Sequence, residues 1–176
     1  MGYSDDLIEQ AKTLAAADPT RPKQASLRRA VSAAYYALFH ETIDRAVASF
    51  LSGADATGLV GDRLRRVVDH KAALKAAKWF AGPATSLPPS IQMMRGAPQP
   101  AIDPALSGVC RVFIDLQAER HRADYDLSAP FARAETRRRI ADAEQAIRDL
   151  RTLPARGDSL IFFLGCLFGE SLTRNS

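Results

Sequence analysis

Cysteine, histidine and long apolar runs are all scarce in this chain, and each scarcity excludes something. Its 176 residues hold two cysteines, Cys110 and Cys166, and three histidines, His40, His70 and His121. Neither cysteine belongs to a C-x-x-C pair, and both sit among apolar neighbours, where the thiol behaves as a small hydrophobe. No disulfide framework is implied, which fits a reducing cytoplasm. The histidines fall on three different predicted helices, and no two have the i, i+4 spacing of a zinc-binding helix. There is no P-loop, no dinucleotide fingerprint and no G-x-S-x-G elbow. No metal and no cofactor are expected. The most apolar stretch, residues 160–168, is too short for the roughly 20 residues that cross a bilayer. Ser4, Asp5 and Asp6 open the chain with no basic region before an apolar run, unlike a signal peptide.

The length suits one domain with a full core. Hydrophobic residues make up 47% and charged residues 25%, a balance that excludes disorder of the whole chain. Alanine is abundant and arginine far outnumbers lysine, and both favour helices. A net charge of +4 and a pI near 9.3 permit an acidic or nucleic-acid partner, and equally suit a solvated arginine-rich surface.

Apolar spacing predicts six helical segments. The first covers 4–17, with Ser4 as N-cap, Leu7, Ala11 and Leu14 inward, and Asp18-Pro19 as its end. The second covers 22–51, buries Leu27, Val31, Tyr35, Leu38, Thr42, Ala46 and Phe50, and stops at Gly53. A third covers 59–81, with Leu64, Val67, Leu74 and Ala77 inward. The fourth runs from Pro104 to at least Arg120 on a stripe of Leu106, Val109, Phe113 and Leu116. The fifth covers 132–153 with Ile140, Ala143, Ile147 and Leu150 inward, and a short sixth holds 160–168. Residues 82–103 carry five prolines and no periodicity, so they read as a loop, with Met93 and Met94 able to pack on the protein or a partner. Nothing reads as a strand. The expected fold is an all-α helix bundle in a single domain, with short terminal helices and an extension over 154–176.

Two polar constellations stand out. Arg29, Tyr36 and His40 lie i, i+7, i+11 on the second helix, a polar line at a groove edge or a set of cross-helix hydrogen bonds. Near the end of the fourth, Arg120 falls on the core stripe and needs a partner, which Asp124 one turn later can supply. His121 and Tyr125 form a second i, i+4 pair beside them. A structural Arg–Asp pair and a functional cluster explain this pattern equally well.

These two segments together resemble the HEPN superfamily. The carrying residues are Arg28 through Ala33, Tyr35, Tyr36, Ala37 and Phe39 to His40, then Ala118 through Arg120, His121, Ala123, Asp124, Tyr125 and Asp126, with Asp69-His70-Lys71 between them. The resemblance implies an all-α, up-and-down bundle of four main helices, often a homodimer, in toxin–antitoxin, phage-defence or RNA-processing systems. Many such proteins are metal-independent ribonucleases, with an arginine followed four to six residues later by a histidine. In that chemistry the imidazole moves protons at a ribose 2′-hydroxyl and the guanidinium holds the scissile phosphate. Here Arg120 is followed directly by His121, and Asp124 and Tyr125 stand where a downstream histidine and tyrosine are expected. Arg65 and His70 meet the spacing on the third helix. Chains of the Ala-Asp-Tyr type look like binding or antitoxin-like members. Two readings follow: a protein that binds RNA, nucleotide or a partner protein, with Arg120, His121, Asp124 and Tyr125 as its catalytic set if it is an enzyme, or a non-catalytic dimeric interaction module.

Overall fold

A computed structural model describes residues 2–18, 20–98 and 100–173. Every regular element among them is helical. In chain order these are α1 (Tyr3–Ala16), α2 (Gln24–Phe50), α3 (Gly53–Thr57), α4 (Leu59–Val67), α5 (His70–Phe80), α6 (Pro89–Arg95), α7 (Pro104–Tyr125), α8 (Arg133–Thr152) and α9 (Gly157–Phe168). Single 3₁₀ turns lie at Ala84–Ser86 and Gly169–Leu172. No helix among the described residues is long and apolar enough to cross a membrane. Two compact units are formed, one from Met1–His40 with Val112–Arg148 and the other from Glu41–Arg111 with Asp149–Ser176.

In the first unit, α1 starts one residue before the expected place. Gly2, not Ser4, is the N-cap, and the Asp5 carboxylate accepts the Gly2 N–H at 2.9 Å. Ser4 is buried inside the helix. Pro19, expected to end this helix, lies outside the described residues. Lys12 of α1 joins Glu9 and Glu144 of α8, each at 3.0 Å, and these two carboxylates hold its ammonium pKa above the usual range. The core is aromatic: Tyr35 packs edge-on to Phe113 at 5.7 Å and stacks on Phe39 at 6.0 Å between centroids. Leu27, Val31, Ala123 and Phe131 form an adjoining apolar cluster.

In the second unit, α5 packs on α9. Gly165 makes this possible, because a Cβ there would lie 2.7 Å from Trp79 Cζ3 and 2.9 Å from Ala76 Cβ. Phe80 and Phe162 meet edge-on beside it at 6.2 Å. Cys110 and Cys166 are fully buried and reduced, and burial pushes both thiols up.

Several expectations need correction. The single helix expected over 59–81 is two. The Asp69 carboxylate accepts the Ala72 N–H at 2.6 Å and starts a new helix, while Val68 turns extended before it. Val67 is consequently 64% exposed rather than buried, and Leu64 and Leu74 are only half-buried. Phe50, at the end of α2, is also exposed. Residues 82–103 are not all loop. Pro89 suits a helix first turn, α6 follows, and Ile91 is fully buried. Arg95 closes α6 with a bidentate pair to Asp158 of α9, at 2.6 and 3.0 Å, and its side chain is 2% exposed. Met93 and Met94 are exposed. Ala30, Ala33, Ala34, Tyr35 and Ala37 of α2 are buried, as are Phe162 and Phe163 of α9, whereas Phe168 at the end of α9 is half-exposed.

Gly165→Ala forces Trp79 or α9 to move, and a loss of about 1–3 kcal/mol is expected. Chemical denaturation of the variant beside the parent chain measures it; an unchanged midpoint means that α5 and α9 are not packed as described.

Candidate functional site

All seven residues singled out from the sequence fall in the first unit, on α2 and the last turns of α7. Arg120 and Asp124 are one turn apart on α7. Arg120 Nε lies 2.7 Å from Asp124 Oδ2, and its Nη2 donates to Tyr36 Oη on α2 at 2.8 Å. Asp124 Oδ1 accepts the Ser32 hydroxyl at 2.8 Å. Arg120 and Asp124 side chains are 19% and 26% exposed, so the pair is shielded without being sealed. Three rings surround the guanidinium carbon, those of Tyr36 at 5.4 Å and of Tyr35 and Tyr125 at 6.0 Å. Burial works against the Arg120 charge, but Tyr36 and Asp124 outweigh it, and the guanidinium holds its proton more tightly than usual. Burial also drives the Tyr35 hydroxyl well above its ordinary range. Neither group is tuned to exchange protons near neutrality.

His121 and Tyr125 project to solvent from the same helix end and pack on each other, with centroids 4.8 Å apart. The exposed His121 ring is thus paired with an aromatic neighbour rather than with a carboxylate that would orient it.

Arg29, Tyr36 and His40 line one groove. It holds about 490 Å³ between α1 and α2, and Tyr3, Leu7, Gln10, Leu14, Ser32 and Ala33 complete it. Tyr3 meets His40 edge-on at 4.9 Å, and Tyr36 lies 6.4 Å from the same imidazole. Arg29 is exposed at the rim. Tyr36 and Ser32 therefore belong both to the groove wall and to the Arg120–Asp124 network behind it. Sequence spacing on α2 pointed to its half of the wall. The α1 half was missed, although an aromatic residue, Tyr3, at the very start of that helix was a usable signal.

Arg28 also has a role that spacing could not show. Its Nη1 donates to the carbonyls of Ala123 (2.9 Å) and Asp126 (2.8 Å), and its Nη2 to those of Leu127 (3.1 Å) and Ala129 (2.7 Å). One side chain thus satisfies the frayed carbonyls at the end of α7 and the turn after it. Asp126 closes this turn by accepting from Ser128 N, Ser128 Oγ and Ala129 N, and these Ser128 bonds hold its carboxyl below the usual range. Arg65 and His70 are split between α4 and α5, and Arg65 Nε is bound to Asp44 at 2.7 Å.

Among the described residues, no group of three or more His, Cys, Asp or Glu side chains comes together as a metal site. No protein-family model, no curated protein and no solved structure matches the chain.

Arg28→Ala leaves four carbonyls to be met by water or left unmet, and a destabilisation of about 2–3 kcal/mol is expected. Hydrogen exchange of the amides around Asp126–Ala129 should accelerate in the same variant. Wild-type protection there would show that the turn holds without the clamp.

Proposed function

We propose that this chain is a HEPN-type protein of a prokaryotic stress or defence system that binds single-stranded RNA or a nucleotide and does not cleave it. The observation that carries the reading is how Arg120 uses its charge. Asp124 and Tyr36 take it up at 2.7 and 2.8 Å, which leaves it poorly placed to hold a scissile phosphate. His121, the proton carrier of the catalytic alternative, packs at a tilt against the Tyr125 ring. The Arg120 cluster is then a brace, and the ligand belongs in the groove it supports.

The groove has the chemistry that single strands require. Tyr3, Tyr36 and His40 offer ring faces and edges for a base, and exposed Arg29 offers a cation for phosphate at the rim. Gln10 adds polar atoms for a base edge. In this reading the up-and-down arrangement of four main helices and pairing into a homodimer rest on the resemblance alone.

Fluorescence anisotropy of a labelled single-stranded RNA in EDTA tests the proposal. Binding should weaken with rising salt. Tyr3→Ala and Arg29→Ala, both at exposed positions, should each weaken it about five- to tenfold. The RNA should remain intact after long incubation. Robust metal-free cleavage that His121→Ala abolishes would instead make this a ribonuclease.

A further inference from the structure

The second unit carries a surface unlike the rest of the chain. From Arg63 to Lys78 there are six cations against Asp69 alone, a local charge of +5 in a chain whose total is +4. Arg65 is drawn down onto Asp44, but Arg63, Arg66, Lys71 and Lys78 are exposed. Asp69 subtracts one charge from this set and also lines the groove, where its carboxylate accepts the Ala72 N–H at the start of α5. Beside this charge lies a groove of about 590 Å³ where the end of α4, the first turns of α5 and the end of α9 meet. Two apolar side chains in its lining are left open, Val67 at 64% and Phe168 at 50% exposure. Lys71 and Lys75 stand in the same lining.

We propose that this groove docks an acidic amphipathic helix of a partner protein. An apolar residue of such a helix covers Val67 and Phe168, and carboxylates on its flanks meet Lys71, Lys75 and the nearby arginines. A nucleic-acid strand meets the charge and the Phe168 ring but leaves the aliphatic Val67, which offers neither a hydrogen bond nor a stacking face, uncovered. A flat lipid surface cannot enter a concave site to reach its floor. This surface lies wholly in the second unit and shares no residue with the Tyr3–His40 groove, so the two proposals stand or fall separately.

The probe is a short fluorescein-labelled helix with glutamates along one face and leucines along the other, titrated with the full chain. Saturable binding is expected, weakened about tenfold or more by Lys71→Glu and by Val67→Glu. Both changes are at exposed positions, and circular dichroism melts of each variant establish that the fold is retained. Replacing the probe's glutamates by glutamines should cost a similar factor. The proposal is overturned if the acidic probe shows no saturable binding, if the glutamine probe binds as well, or if neither substitution weakens it. It is equally overturned if an RNA oligomer or phosphatidylserine vesicles bind through Lys71 while the acidic probe does not.

Discussion

A guanidinium four-fifths removed from water and ringed by tyrosines persists only with an opposing charge at hand. Arg120 meets that condition through Asp124, one helical turn away, and through the Tyr36 hydroxyl on the neighbouring helix. The consequences spread outward from this pair. Tyr36 is fixed in place by Arg120, and Ser32 by Asp124, so two residues of the groove wall are set by a network that lies behind it. Arg28 pins the turn that follows α7, and the helix end bearing Asp124 is held there. The groove is therefore backed by the Arg120 network at Ser32 and Tyr36 and open at its rim, where Tyr3 and Arg29 are exposed.

The same interactions explain why particular residues occur in the two segments that carry the family resemblance. Arg28 clamps carbonyls, Ser32 and Tyr36 engage the Asp124–Arg120 pair, and Ala123 is small because it packs into the cluster of Leu27, Val31 and Phe131. Asp126 shapes the turn. These are architectural duties. They account for these residues of the two segments without any reaction at Arg120.

Helices with a sustained apolar stripe were legible from spacing alone. The stripes of α7 and α8, from Leu106 to Leu116 and from Ile140 to Leu150, are buried as their periodicity requires. Spacing failed where a single polar side chain redirects the backbone. Asp69 splits one expected helix into two by capturing an amide, and helical periodicity carries no sign of that hydrogen bond. It failed again at residues 89–95, where prolines suggested a loop but Arg95 finds Asp158 sixty-three residues away. Long-range ion pairs leave no local trace in a sequence. At the candidate site, the i, i+4 relation of Arg120 and Asp124 was readable because it is local. Which residue Tyr36 bonds across the helices, and that α1 forms the other wall of the groove, depend on how helices pack and do not follow from spacing, with Tyr3 at the start of α1 the one local hint.

Arg120 and Asp124 should act as one unit. A double-mutant cycle of Arg120→Ala and Asp124→Ala, followed by urea unfolding, measures that directly. Strong coupling is predicted: each single change should cost about 2–3 kcal/mol, and the double change little more than either, since the second removes a charge already stranded. Additive losses, with a coupling near zero, would contradict the account and return Arg120 to the set of residues free to act on a ligand.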